Sequence, residues 1–266
     1  MASARKDDWS AGDLYEPYVG RWSRLVARDF LAWLEVGAHR NWLDVGCGTG
    51  ALGETILRHA QPRRLQCVDL SPAFIAHARA RLGALGAAFA VADAQALPLR
   101  AARFDAGVSA LALNFVPRPE RAVAEMARTV RSGGIIAAYV WDYADRMELL
   151  RYFWDAAAAL DPAAAALDEG ARFPLCQPAA LLDLFRAAGL TRAEARCIDV
   201  PTRFENFDDY WSPFLGGQGP APGYVLSLGA DRRAALREKI RAALPIAADG
   251  SIDLSARAWA VRGRVS

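Results

Sequence analysis

LDVGCGTG, residues 43–50, is the stretch on which the reading of this 266-residue chain turns. NWLDV (41–45) has the short apolar character of a buried strand, the glycines make a turn, and ALGETILRHA (51–60) is a predicted helix. Glycines at such an elbow let a ligand approach the backbone. The helix that follows offers free N–H groups and positive potential to a carboxylate or phosphate. Gly46, Gly48 and Ala51 satisfy G-x-G-x-x-G/A, and Asp69 falls at the end of the next predicted strand, where a ribose-binding acid belongs. On these residues alone, a nicotinamide dinucleotide and S-adenosylmethionine fit equally, since both present a ribose and an adenine.

Working outward, apolar residues at Tyr18, Trp22, Leu25, Val26, Phe30, Trp33 and Leu34 predict an amphipathic first helix. RLQCVDL (64–70) is a second strand. Ser71 and Pro72 then supply the N-cap and first-turn proline of PAFIAHARARL. AAFAVAD, FDAGVSALAL and GGIIAAYVW are further strands, the last two separated by a helix over 119–131 that stops at Ser132-Gly133-Gly134. Strands alternating with helices imply a doubly wound α/β parallel sheet with helices on both faces. A single domain is expected, with a 41–142 core behind the N-terminal 1–40 helix. Residues 143–176 read as a helical insertion, followed by a helix over 178–188 closed by Gly189. Two terminal strands, RAEARCIDVPTRF and IDLSARAWAVRG, flank a Gly/Pro-rich excursion over 206–250 of the length usual for a lid or binding loop.

Composition narrows the function. The formal net charge is +2, which offers no polyelectrolyte face to nucleic acid, although all of the 32 basic residues but Lys6 and Lys239 are arginine. The opening MASARKDDWS has no apolar core of a secretory signal, and the long uncharged run Tyr210–Ala230 is broken by prolines and glycines, so neither export nor a membrane helix is expected. A cytoplasmic protein follows as the expectation. Cys47, Cys67, Cys176 and Cys197 have neither metal-ligand nor disulfide-framework spacing and read as buried free thiols; no metal is expected.

Taken together, LDVGCGTG, VDLSPAFI, ADAQALPL, FDAGVSALAL and RSGGIIAAYVW resemble, in order and spacing, the five motifs of class I S-adenosylmethionine-dependent methyltransferases, with a softer likeness to the ubiquinone/menaquinone branch. The resemblance implies a Rossmann-like seven-stranded sheet whose last strand is antiparallel. It implies S-adenosyl-L-methionine as cofactor and S-adenosyl-L-homocysteine as product. Asp44, Gly46, Cys47 and Gly48 would surround the methionyl part, Asp69 and Leu70 the ribose, and Asp93 and Ala94 the adenine. YEPYVGRW (15–22) is similar to the family's N-terminal lid segments, which adds Tyr18, Arg21 and Trp22 to the cofactor side. Blander roles remain open at each position: Asp69 or Asp93 as a helix or loop cap, Cys47 as a space-filler or a redox thiol, and the first-helix aromatics as ordinary core.

The acceptor side rests on topology. Ligands in doubly wound sheets lie beyond the carboxyl ends of the strands, where Asn114 and Trp141-Asp142-Tyr143 fall; Arg172, Phe173, Tyr210 and Trp211 are candidates in the excursions. A small, partly apolar acceptor is expected, methylated by in-line transfer without an assigned base, because His39, His59 and His77 lie away from those strand ends. Three rival readings bear on these residues. A short-chain nicotinamide reductase needs Y-x-x-x-K, and no tyrosine has a lysine four residues later. Asn114-Phe115-Val116-Pro117 departs from the Asn/Asp-Pro-Pro-Tyr/Phe of nucleic-acid and glutamine N-methyltransferases. A cofactor-binding protein that has lost transfer chemistry is compatible with every motif.

Overall fold

The computed structural model describes residues 20–216 and 219–266. Tyr18 and the side chain of Arg21 lie outside the described residues, as does Gly217. Five strands alternate with helices in the first half of the chain: β1 (Asn41–Val45), β2 (Arg64–Asp69), β3 (Ala87–Val91), β4 (Phe104–Ala110) and β5 (Val130–Trp141). Around them lie α1 (Arg21–Leu34), α2 (Ala51–His59), α3 (Pro72–Leu82) and α4 (Pro119–Thr129). After β5 come α5 (Glu148–Leu160), the short α6 (Glu169–Arg172), α7 (Pro178–Ala187), β6 (Thr191–Phe204), α8 (Phe207–Trp211), α9 (Pro220–Ser227), α10 (Ala230–Ala243) and β7 (Ile252–Arg264).

The seven strands form one sheet in the order β3-β2-β1-β4-β5-β7-β6. All pairs from β3 to β5 are parallel, and β7 runs antiparallel to β5. Asp199–Arg257 and Glu194–Arg262 cross from β6 to β7 in opposed order, as side chains of antiparallel neighbours do. The chain steps outward from β1 through β2 to β3, then returns to place β4 on the other side of β1. That reversal opens a crevice beyond the carboxyl ends of β1 and β4, the ligand position of such sheets.

Physical cause is visible element by element. Trp22, Val26, Phe30 and Leu34 are the buried stripe of α1, and Phe30 meets Tyr139 of β5 edge-on at 4.9 Å. Ser71 caps α3 by accepting the Phe74 N–H at 3.3 Å. In β7, buried Ile252, Leu254, Ala256, Ala258 and Ala260 alternate with more exposed neighbours, the two-residue period of a half-buried strand.

Three expectations need correction. The helix over 119–131 ends at Thr129, and Ser132-Gly133-Gly134 lies inside β5 instead of stopping a helix. Phe104 pairs with Val130 and Ala106 with Ile135, so four residues of β5 bulge opposite one of β4. Gly134 fills that bulge because a Cβ there would stand 2.8 Å from the Asp105 carbonyl oxygen. The strand in FDAGVSALAL ends at Ala110, since Leu111 turns the chain with φ 56°. All four cysteines are free, but Cys197 is exposed: it sits on β6 at the sheet edge.

By packing, the chain divides into two compact units. One comprises Trp22–Trp141, Leu175–Asp199 and Arg257–Ser266 and contains the crevice between β1 and β4. The other gathers Asp142–Pro174 and Val200–Ala256. Its interior is aromatic: Phe153 stacks on Phe214 at 4.6 Å and meets Trp154 edge-on at 5.0 Å. Among the described residues no helix is long and apolar enough to cross a membrane.

Candidate functional site

The turn after β1 is built from backbone. Gly46 and Cys47 donate their N–H groups to the Val68 carbonyl at 2.8 and 3.0 Å, and Gly50 donates to Cys47 at 2.9 Å. Gly46, Gly48 and Gly50 have φ of 72°, 51° and 89°, conformations that cost a side-chain-bearing residue about 1–2 kcal/mol each. At Gly46 space is decisive as well, for a Cβ would lie 2.5 Å from that of Ala112, across the crevice on the segment after β4. At Gly48 a Cβ would meet nothing within 4 Å, so this glycine leaves the backbone open to a ligand.

Two carboxyls lie beneath and beside this turn. Asp69, the last residue of β2, accepts the Gly48 N–H at 2.9 Å on one oxygen and the Ser71 N–H at 2.8 Å on the other. It braces the turn and the entry to α3, while Ser71 does the capping. Burial raises its carboxyl above the usual range, and the amides of Ser71, Gly48 and Leu70 oppose that rise. Asp44 of β1 is wholly buried and neither oxygen makes a well-formed hydrogen bond. Desolvation pushes it up to about 7; the charge of Asp69 adds to the rise and the Gly53 amide moderates it. Cys47 is buried too, its thiol raised first by its contact with Cys67 and then by burial, which opposes the reactive thiolate and favours the space-filling role.

At the ends of β2 and β3, Ala92 donates to the Asp69 carbonyl at 2.9 Å, which brings Asp93 and Ala94 next to the Asp69 turn. Asp93 is held below the usual carboxylate range by the Gln95 backbone N–H and side-chain amide. Leu70, beside the ribose candidate, is 69% exposed, an apolar surface available to a flat ring. Trp22 is buried in α1 at 4% exposure and belongs to the core of its unit.

On the β4 side the polar groups are Ser109, which sequence reading missed, and the named candidates Asn114 and Trp141. The Ser109 hydroxyl is buried without a partner and would stand 4.0 Å from a Cβ at Gly46. Leu111, at φ 56°, is in a conformation rarely adopted by leucine, and such strain concentrates where a binding surface is shaped. Three residues on, both amide atoms of Asn114 are buried and unpartnered, as is the indole Nε1 of Trp141 at the end of β5. A lone hydroxyl in the apolar run FDAGVSALAL was the available signal for Ser109.

The remaining candidates lie in the second unit. Asp142 is buried and its carboxylate accepts the Asp145 N–H at 3.3 Å within its own turn. Tyr143 packs at 5.8 Å on Phe173, and the Arg172 guanidinium lies 5.3 Å from the centre of the same Phe173 ring. Tyr210 is fully buried, its hydroxyl donating to the Leu149 carbonyl at 2.7 Å, and Trp211 packs parallel to Phe207. Glu169, which the sequence did not single out, is buried with the Trp154 indole N–H donating to it. Desolvation raises its carboxyl to about 7.

Known proteins resemble this chain over the stretch that carries the glycine turn. Residues 43–138 match the family model described as a methyltransferase domain. A malonyl-[acyl-carrier protein] O-methyltransferase of Geobacter sulfurreducens is 34% identical over 125 residues, 46% of this chain and 47% of that protein. A chloroplastic 2-methyl-6-phytyl-1,4-hydroquinone methyltransferase of Oryza sativa is 30% identical over 137 residues, 51% of this chain and 41% of its own. The chain thus spans less than half the length of these curated relatives. A solved structure of Haemonchus contortus phosphoethanolamine N-methyltransferase 2 in complex with S-adenosyl-L-methionine superposes with a TM-score of 0.60 at 13% identity, over 96% of this chain and 57% of that one, a likeness of fold. From the strand-one motif to the middle of β5, residues 43–138 are thus similar to a methyltransferase domain.

Proposed function

We propose that the protein is an S-adenosylmethionine-dependent methyltransferase acting on a small-molecule acceptor. The observation that carries this reading is the set of unpartnered polar atoms around the glycine turn: both oxygens of Asp44, the Ser109 hydroxyl and the amide of Asn114. Leaving such groups buried and unpaired costs about 1–3 kcal/mol each, which a polar ligand in the crevice offsets. A ligand with an amino-acid end, a ribose and a flat base fits the donor set. Gly46, Gly48 and Ser109 would meet the methionyl part, with Cys47 filling the turn and Asp44 beneath it. The ribose would lie at Asp69 and the adenine between Leu70, Asp93 and Ala94.

The bound cofactor supplies an electrophilic methyl group on a sulfonium. The chain's own contribution is alignment and exclusion of water, worth about 7–11 kcal/mol of barrier at best. Asn114 and Trp141 would hold the acceptor's polar edge, Asn114 through one acceptor and two donors and Trp141 through its N–H. No histidine is used: His39 precedes β1, His59 ends α2 and His77 lies within α3. The named relatives are methyltransferases of malonyl-[acyl-carrier protein], of 2-methyl-6-phytyl-1,4-hydroquinone and of phosphoethanolamine, and this reading takes a small metabolite like the latter two as the acceptor. A cytoplasmic location belongs to the same reading and is supported by four free thiols.

Incubation with methyl-labelled S-adenosylmethionine and a panel of carboxylate, phenol and amine acceptors tests it. Label transferred to one acceptor class, with Asn114→Ala slowing transfer at least tenfold, is the expected result. Tight cofactor binding with no transfer to any class would favour the rival reading of a non-methylating member of the fold.

A further inference from the structure

Asp44 and Asp69 occupy neighbouring strands, yet their surroundings are opposite. Asp69 receives two backbone N–H donors, from Gly48 and Ser71, whereas wholly buried Asp44 has no well-formed hydrogen bond on either oxygen and only the Gly53 amide to favour its charge. Two carboxyls interacting in a site from which water is excluded do not both ionise cheaply. The two donors favour the charge on Asp69, and Asp44, without them, holds a proton more readily. The groups around Asp44 strengthen this asymmetry. From β2 it faces Asp69 and its register partner Cys67, from the glycine turn Cys47, from α2 the Gly53 amide, and from β4 the apolar Val108. Among the described residues, no lysine, arginine or histidine is among the groups acting on it.

Resting on the cofactor reading above, we propose that Asp44 senses the positive charge of S-adenosylmethionine: binding of the sulfonium expels the Asp44 proton, whereas the uncharged thioether of the product leaves more of it in place. The O–H bond of the carboxyl breaks, its electron pair stays on oxygen, and the proton passes to the buffer; nothing is oxidised or reduced. The arrangement makes the pocket prefer cofactor over spent product by charge. It also makes that preference depend on pH. Because burial brings Asp44 up to about 7, the gain in cofactor affinity with rising pH is at most about tenfold per unit below neutrality and levels off above it.

Titration calorimetry at pH 6, 7 and 8, in two buffers of different ionisation enthalpy, counts the protons. Wild-type protein is titrated with S-adenosylmethionine and, separately, with S-adenosylhomocysteine; both ligands carry the same amino and carboxylate groups. At pH 6–7 more protons should be released with S-adenosylmethionine than with S-adenosylhomocysteine, the difference vanishing by pH 8 and absent in Asp44→Asn. Equal release for the two ligands, or the same difference in Asp44→Asn, would overturn the proposal. If that variant fails to fold, the ratio of the two wild-type affinities decides: it should rise with pH up to neutrality, and a flat ratio contradicts the role. Absence of binding by either ligand at every pH would instead remove the cofactor reading itself, and the proposal with it.

Discussion

Gly46 shows how little room the site leaves at the level of single residues. Its positive φ and the 2.5 Å approach of a Cβ to Ala112 act together, so Gly46→Ala should cost about 2–4 kcal/mol of stability and abolish measurable cofactor binding. Urea denaturation and calorimetry check both parts; a variant as stable as wild type would show that the turn tolerates side chains. The buried acids make a second prediction. Asp44 and Glu169 have folded-state pKa values raised to about 7 from 3.8 and 4.5, so the folded state holds more protons than the unfolded between about pH 4 and 7. Their contribution to stability is full below pH 4 and is lost as pH rises through 7. Asp44→Asn and Glu169→Gln should therefore each gain on ligand-free wild type from pH 5 to pH 8 in urea midpoint, and a pH-independent difference would refute the assignment. Asp44, Gly46, Gly48 and Asp69 were legible because backbone geometry fixes their spacing in the chain. Ser109 and Glu169 were not, since what singles them out is burial among residues distant in sequence, such as Trp154 beside Glu169.

At the level of elements, local chemistry was readable wherever a cap or a period declared itself. Ser71-Pro72 announced α3, and Gly189, at φ 75°, follows the end of α7. Ser71→Ala should cost about 1 kcal/mol in chemical denaturation and leave cofactor affinity within about threefold, because the Asp69 brace uses the Ser71 backbone N–H and not its hydroxyl. A larger loss of affinity would mean that the hydroxyl itself takes part in binding. The junction of α4 and β5 was misread for a physical reason. Ser132-Gly133-Gly134 has the composition of a helix stop, but the same residues suit a bulge, and only pairing of Val130 with Phe104 reveals that the strand has already begun. Leu111 ends β4 by strain, for which sequence carries no mark.

Across the whole molecule, the unit containing β1–β5 follows from alternation of strand and helix, and its crevice from the point where strand order reverses. The aromatic interior of the other unit joins Phe153 and Trp154 to Phe214 and Tyr224, contacts across some sixty residues or more that no periodicity announces. The central proposal concerns the crevice alone: its glycine turn and Asp69 would hold the ribose-bearing cofactor. Calorimetric titration of S-adenosylhomocysteine into wild type and Asp69→Asn tests it most directly. The account expects one site per chain in the wild type, weakened about 10- to 150-fold in the variant, equivalent to about 1.5–3 kcal/mol for charge-assisted hydrogen bonds. Equal affinity in the two proteins would contradict it.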